Sequence, residues 1–454
     1  MLMLKNTLSG ELEEFKPIKK GEVGMYNCGP TVYNYAHIGN LRAYVFSDIL
    51  KRTLKYNDYQ VTQVINITDV GHLTDEGLDK IEERAKEESK GVQDMANMYI
   101  KKFFEDLSEL NINVGDTIFP KASEHINEQI EMIEKLESRG FTYKTSDGIY
   151  FNTAEYIGYG KLGNINIDEL KEGARVEKNN EKKNMADFAL WKFSEKGVKR
   201  QQEWKSPWGV GFPGWHIECS AMSMKHLGEH FDIHTGGVDH IFPHHNNEIA
   251  QSESATGKAF VNYWLHGAFL NLKGEKISKS KGNLVLLDEI TEKGLNPLSY
   301  RYWLLTATYN SPLSFSWDAI EGTEIALNKL HDRFRELPEG GKIDDNYRAL
   351  FKGFINNDLN TPKAIALLWN LLKDNDIQPG DKKATLLEFD KVLALGLDNL
   401  SEVEIPKEVL GLVKEREKAR GEKDWDRSDE LRNKIEKLGF GVKDTSEGSK
   451  ISKI

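Results

Sequence analysis

Residues 21–70 read GEVGMYNCGPTVYNYAHIGNLRAYVFSDILKRTLKYNDYQVTQVINITDV. Met25–Cys28 and Gln60–Thr68 are rich in β-formers and predict strands. Between them Leu41, Ala43, Val45, Phe46, Ile49 and Leu50 fall on one side of a helix. Strand, glycine-bearing turn, helix and strand make the βαβ unit of a parallel sheet, and a ligand is expected where strand ends meet the helix start. An acidic helical stretch is predicted from about Thr74 and another running to about Leu110. Residues 121–200 have the look of an insertion, with one helix, a strand around Gly148–Asn152 and the polar tract EKNNEKKNMAD (177–187).

From Trp215 the α/β pattern returns, with HFDIHTGG (230–237) as strand into glycine turn. Gly267–Asn283 has the composition of a Lys/Ser/Gly loop. After Trp317 the chain is helical, with Ala326, Leu330, Phe334 and Leu337 on one face. Thr361-Pro362 supplies a cap and first-turn proline for Lys363–Lys373. Polar breaks at DNDIQPGDKK (374–383) and DNLSEVEIP (398–406) bracket a helix Ala384–Leu397. From Lys407 a charged helical pair closes in GFGVKD (439–444).

At 454 residues the chain is too long for one ordinary core, so several domains are expected. Its 39% hydrophobic and 29% charged residues are those of an ordinary globular protein. No apolar run approaches the ~18 residues of a membrane span, and the N-terminus is acidic where a signal peptide would be apolar. The cytosol is the expected compartment. The two cysteines, Cys28 and Cys219, cannot build a disulfide framework. The net charge of −11 speaks against non-specific nucleic-acid binding. The charge is uneven, however: residues 411–454 carry 12 Lys and Arg against 10 Asp and Glu, which permits local RNA contact.

Three clusters carry candidate chemistry. His37-Ile38-Gly39-Asn40 stands at a helix start, where amide N–H groups and the helix dipole favour an anion and Gly39 permits close approach; taken alone, a plain turn is the simpler explanation. Lys276 and Lys279, in GEKISKSKGN (274–283), set two ammonium groups three residues apart on a loop able to close over a triphosphate; a solvated basic loop is the bland alternative. The segment 214–253 holds seven of the 12 histidines. There His244 and Glu248 share a helix face, and with Cys28 and Cys219 they would make a donor set for Zn²⁺. The spacing matches no short zinc-finger rule, so buried apolar cysteines remain an alternative.

Taken in order, YNCGPTVYNYAHIGNLR, VINITDVGH, DFALWK, SPWG, PGWHIECSAM, FDIHTGGVDHIFPHHNNEIAQS, KISKSKGN and NDLNTPKA resemble a class I aminoacyl-tRNA synthetase, specifically the cysteinyl-tRNA synthetase family, collinearly across nearly the whole chain. The resemblance implies an α/β fold, with a Rossmann-type parallel-sheet catalytic domain (1–120 and 201–275) interrupted by a connective insertion (121–200). A signature loop and stem-contact region (276–318), a helical bundle (319–400) and an anticodon-binding domain (401–454) would follow. It implies that His37 and Asn40, with Lys276 and Lys279, serve catalysis. Gly39, Gly236, Gly237 and Asp239 would join His37, Asn40 and Lys279 in holding ATP with Mg²⁺. Cys28, Cys219, His244 and Glu248 match the family's zinc ligands, one Zn²⁺ per chain. Cys28, Gly29, Thr31, Thr68, Trp215 and His234 match its cysteine pocket. Arg420, Trp425, Asp429 and Asp444 match positions that contact anticodon bases.

The implied partners are L-cysteine, ATP and tRNA(Cys), with no membrane, and the implied state is a monomer. The chain departs from the family at Asn40 (often His), at Ile277 (often Met) and in HGAFLN (266–271, usually HNGF), the last bearing on adenine contacts. Zinc suits the task, because a soft thiolate binds it far better than serine's hydroxyl does. The insertion is short for an editing domain. Three alternatives compete: a cysteine:amino-sugar ligase, which would lack the anticodon end; a zinc hydrolase, for which no HExxH is present; and a non-catalytic tRNA-binding relative, which would not need His37, Lys276 and Lys279.

Overall fold

A computed structural model describes residues 1–70, 91–166, 180–194, 197, 200–272, 275–276, 284–400, 406–445 and 448–453. A short antiparallel pair, β1 (Met3–Lys5) and β2 (Leu12–Glu14), precedes the expected unit of β3 (Glu22–Asn27), α1 (Ile38–Tyr56) and β4 (Gln60–Ile65). Both strands stop short of Cys28 and Thr68, because the ladder between them ends where the Asn66 side chain takes over the Gly29 N–H at 2.8 Å. The helix predicted from Thr74 lies outside the described residues. α2 (Val92–Glu109) ends where expected and leads to β5 (Thr117–Ile118).

Next come α3 (Ile126–Ser138), β6 (Thr142–Lys144), β7 (Gly148–Phe151), β8 (Phe188–Phe193), β9 (Trp204–Ser206) and β10 (Gly209–Pro213). These strands form an antiparallel sheet in the order β6-β7-β8-β10-β9. One strand was expected here, and the boundary expected at residue 200 falls inside this sheet. The DFALWK strand escapes a search for alternation because its first four residues are all buried.

α4 (Trp215–Leu227), β11 (Phe231–Gly237), α5 (Asn246–Thr256) and β12 (Val261–Gly267) complete the central sheet. It is parallel throughout, in the order β12-β11-β3-β4-β5. From β3 the chain moves one way to β4, while β11 and β12 lie on the other side. The strand order therefore reverses between β3 and β11, which opens a crevice at their carboxyl ends. α1 is buried nearly all round rather than on the single side its apolar spacing suggests.

Part of the stretch expected as loop after Gly267 is a small sheet: β13 (Leu270–Leu272) pairs with β14 (Glu275–Lys276) and later with β15 (Leu313–Phe315). Between them lie α6 (Asp288–Glu292) and α7 (Pro297–Leu305). The bundle is α8 (Trp317–Arg335), α9 (Asp345–Ile355), α10 (Thr361–Lys373) and α11 (Pro379–Leu393). On α8 Leu330 and Phe334 are buried as expected, while Leu337 packs from beyond the helix end. The cap of α10 is Asn360, not Thr361: its side chain accepts from Lys363 N at 3.2 Å. α11 is displaced from the predicted 384–397. Pro379 sits in its first turn, where a missing N–H costs nothing, and Asp390 accepts from Leu395 N (2.6 Å) and Leu397 N (2.8 Å) to turn the chain off the helix.

Bundle and sheet are joined through Arg301 of α7. Its buried guanidinium donates to Asp48 of α1 (2.6 Å) and to the carbonyls of Leu393 (2.8 Å) and Leu110 (2.9 Å). α12 (Lys407–Gly421), α13 (Trp425–Lys437) and the hairpin β16 (Phe440–Thr445) and β17 (Gly448–Lys453) end the chain around a small core of Val409, Val413, Ile435, Phe440 and Val442. Among the described residues no helix is long and apolar enough to cross a membrane.

Candidate active site

The crevice brings together residues far apart in sequence. Cys28 follows β3 directly, Cys219 is in the second turn of α4, and Glu248 is in the first turn of α5, with His244 just before it. One ligand atom from each of the four lies within 4.8 Å of the others. The surroundings orient each donor. His216 Nδ1 is 2.8 Å from His244 Nδ1, which turns His244 Nε2 inward. His234 Nε2 is 2.9 Å from Glu248 Oε2. The other oxygen, Oε1, stands 3.0 Å from His244 Nε2 without the alignment of a hydrogen bond. Two thiols, an imidazole and a carboxylate, facing one another in this way, suit zinc. A second set, Cys28, His234, His245 and Glu248, is equally close. It offers a single sulfur, so the two-thiol set is the better zinc ligand.

Electrostatics divides the donors: Cys219 and Glu248 give up their protons readily, while Cys28 and His244 keep theirs until a metal would displace them. The Cys219 thiol is held down at about 6, chiefly by its hydrogen bond with Cys28 and against the effect of burial. Burial would raise the Glu248 carboxyl, but the His234 and His244 imidazoles outweigh it and hold it at about 2. Burial would lower His244, yet Glu248 and Cys219 keep it up at about 10. Cys28 is pushed well up by burial and then by its contact with Cys219.

The residues expected to line a small-molecule pocket gather beside this cluster. Gly29 N donates to Asn66 Oδ1, and Asn66 Nδ2 donates to Thr68 Oγ1 at 3.0 Å. Thr31 and Thr68 face each other across an isolated bridge, in which Val32 N donates to Thr68 O at 3.1 Å and Thr68 N to Pro30 O at 3.0 Å. A Cβ on Gly29 would lie 1.5 Å from Asn66 O, so no other residue fits there. Trp215 stacks on His244, with ring centroids 4.5 Å apart. His234 is fully buried and stacks on Trp264 at 4.6 Å, so it reaches the cluster through Glu248. The sequence reading missed Asn66 and His216. Both lie inside quoted motifs, but nothing in their residue types marks them as organisers.

On the other side of the crevice His37 caps α1. Its Nδ1 accepts from Asn40 N at 3.2 Å, and Asn40 Oδ1 accepts from His37 N at 3.1 Å. The signature tetrapeptide is thus a reciprocal capping box, with Gly39 in the first turn. Ile38 N donates to Val285 O at 2.9 Å, which fastens the helix start to the chain that leaves the lysine loop. Gly236 and Gly237 end β11. A Cβ on Gly236 would come within 2.7 Å of His240 and His245, and one on Gly237 within 2.4 Å of Asp239 Oδ1. Asp239 itself is exposed at the mouth. In the divergent HGAFLN segment His266 is tied inward, to His245 Nδ1 and to Thr7 Oγ1 at 2.8 Å each. Lys276 ends β14, where its backbone pairs with Asn271; Lys279 lies outside the described residues.

The profile of the tRNA synthetases class I (C) catalytic domain matches residues 14–324, and that of the cysteinyl-tRNA ligase anticodon binding domain matches residues 402–450. The chain belongs to the cysteinyl-tRNA synthetase family. It is 47% identical to cysteine–tRNA ligase 1 of Burkholderia lata, over 99% of this chain and 96% of that one. It is 44% identical to the cysteine–tRNA ligase of Treponema denticola, over 98% of each. In fold it resembles the methionyl-tRNA synthetase of Mycobacterium tuberculosis in complex with methionyl-adenylate, with a TM-score of 0.54 at 16% identity over 82% of this chain and 90% of that one.

The family's anticodon-binding domain corresponds here to α12, α13 and the terminal hairpin. Arg420, Trp425 and Asp444 are brought together: Arg420 Nη2 lies 3.3 Å from Asp444 Oδ2, and its Cζ sits 5.3 Å from the centre of the Trp425 ring. Trp425 is 55% exposed, so it is not part of the local core. Asp429 is exposed four residues further along α13. The sequence reading missed Arg416, whose nearly buried guanidinium holds Asp444 in a bidentate pair at 2.7 and 2.9 Å.

Proposed function

We propose that this chain activates L-cysteine with ATP to give cysteinyl-adenylate and pyrophosphate, and then transfers the cysteinyl group to the 3′ end of tRNA(Cys). The observation that carries this reading is the meeting of Cys28 and Cys219, from distant parts of the chain, with His244 and Glu248 in the crevice between β3 and β11. Those four residues would hold one zinc ion. When bound, the metal supplies a soft Lewis acid that lowers the pKa of a thiol and prefers it to a hydroxyl.

Gly29, Thr31, Thr68, Trp215 and His234 would shape the space around the substrate, with Cys28 at its floor. Gly236, Gly237 and Asp239 would take the adenosine, the carboxylate accepting from ribose hydroxyls. The substrate carboxylate is already ionised and attacks the α-phosphate of ATP in line, so no side-chain base is required. His37, Gly39 and Asn40 at the head of α1, with Lys276, Lys279 and Mg²⁺, would position the phosphates and offset the charge that grows on departing pyrophosphate. In the second step a ribose hydroxyl of the terminal adenosine attacks the mixed anhydride and releases AMP.

Arg420, Trp425, Asp429 and Asp444 would read unpaired anticodon bases, by stacking on the indole and through the Arg and Asp edges. This end of the chain favours a tRNA ligase over a cysteine:amino-sugar ligase. We further propose a cytoplasmic monomer, with catalytic halves at 1–120 and 201–275, the second opening with the last two strands of the inserted sheet, the insertion between them, the stem-contact region at 276–318, the bundle at 319–400 and the anticodon-binding end at 401–454. The test is ATP–pyrophosphate exchange with cysteine and with serine, followed by charging of tRNA(Cys). Exchange with cysteine alone is expected, and equal exchange with serine would overturn the zinc-selection reading.

A further inference from the structure

Two histidines outside the crevice meet at the seam between α3 and α4. His125 is the cap residue of α3 and His226 lies in the last turn of α4. Their Nε2 atoms are 3.1 Å apart, with the rings inclined at 60°. His125 Nδ1 is 2.8 Å from the carbonyl oxygen of Lys121. A carbonyl only accepts, so Nδ1 carries the proton and Nε2 presents its lone pair to His226. Metal-ligating histidines are held in this way, with the second ring nitrogen donated to a carbonyl that fixes tautomer and direction.

The spacing suits a shared ion. Two imidazole nitrogens bound to one ion at about 2.0–2.1 Å lie about 2.9–3.4 Å apart in octahedral or tetrahedral geometry. Both rings are half-buried, so an ion could enter from solvent and keep water in its remaining positions. Glu128, in the first turn of α3, brings a carboxylate to the same seam, paired with Lys225 at 3.1 Å. Burial, then His125 and Lys225, lower the proton affinity of His226, which leaves it neutral near pH 7.

We propose that His125 and His226 form a second metal site, separate from the Cys28–Cys219 cluster, for a borderline divalent transition-metal ion such as Zn²⁺ or Ni²⁺. Imidazole donors select this class over Mg²⁺ and Ca²⁺. In the metal-free pair His226 Nε2–H donates to His125 Nε2. The ion takes the place of that proton, which moves through solvent to His226 Nδ1, so no net proton is released. An ion here fastens α3, beside the inserted sheet, to α4, the helix that carries Cys219.

The experiment is equilibrium dialysis of the full-length chain against micromolar free Zn²⁺, with metal counted by atomic emission, on the wild type, His125→Gln, His226→Gln and Cys219→Ser. Two ions per chain are expected in the wild type and one in each glutamine variant, the second ion binding about tenfold or more weakly there. Cys219→Ser should keep the ion that the glutamine variants lose, which separates this site from the crevice. Matching far-ultraviolet circular dichroism and metal-free melting would show that the variants fold. A single ion in the folded wild type, or two ions in both glutamine variants, would overturn the proposal.

Discussion

The crevice and the C-terminal surface, in the roles proposed for them, solve recognition in opposite ways. In the crevice the groups are mostly buried, and several are steered by a partner behind them: His216 behind His244, His234 behind Glu248, Asn66 behind Gly29 and Thr68. At the C-terminus the proposed recognition groups lie at the surface over a handful of apolar side chains, and one buried arginine holds Asp444. A site that must tell one small side chain from another is rigid on all sides, because a loose pocket cannot refuse a near-isostere. A surface that receives unpaired bases needs only exposed faces and edges, so it can be built on a small, separate core.

That contrast can be broken first at the metal. Cys219→Ser is expected to lose at least about a hundredfold in cysteine-dependent ATP–pyrophosphate exchange, since even changes behind a metal ligand cost about 10–100-fold. The crevice should lose its ion while affinity for the anticodon stem-loop stays unchanged. Next is the main chain: Gly29→Ala should lower exchange about a hundredfold, the cost of displacing reacting groups by about an ångström, with metal content retained. The C-terminal surface is probed by Trp425→Ala. Loss of one stacking face, worth about 1–3 kcal/mol, should weaken kcat/KM for tRNA by about fivefold to a hundredfold, and leave exchange untouched.

The smallest effect concerns acid. Asp444 is held below the usual carboxylate range chiefly by its hydrogen bonds to Arg416, against a weak opposing effect of burial. A carboxyl depressed by folding stabilises above its unfolded pKa of about 4 and loses that contribution as pH falls towards its folded value. The C-terminal unit should therefore weaken below about pH 4, as read from its own amide signals. Arg416→Ala should cost it about 1–2 kcal/mol at neutral pH and flatten that slope.

Much of this was legible in the sequence. The βαβ unit is announced by β-formers around a helix with a clear apolar side, and His37 stands at its head as expected. The cluster of Cys28, Cys219, His244 and Glu248 was legible only as an ordered set of motifs: Cys28 is distant from Cys219, and no local spacing rule joins them. The inserted sheet was mostly hidden, since β8 is buried along its first four residues and shows no alternation. Asn66, His216 and Arg416 were hidden for another reason. They act on groups distant in sequence, and an asparagine at a strand end or an arginine on a charged helix carries no mark of such a partner. The start of α11 was lost because QPG was read as a break, whereas proline is at home in a first turn.

Gly29 has a consequence for how this pocket can change. Its wall at that point is the peptide backbone of Asn66, pressed so close that even one methyl group is refused. No series of ever larger or smaller side chains can be tried there, so an altered appetite cannot arise by gradual trimming at residue 29. In the pocket proposed here, any route to a different amino acid must run through the ring and hydroxyl groups of Trp215, Thr31 or Thr68, or through the proposed metal donors.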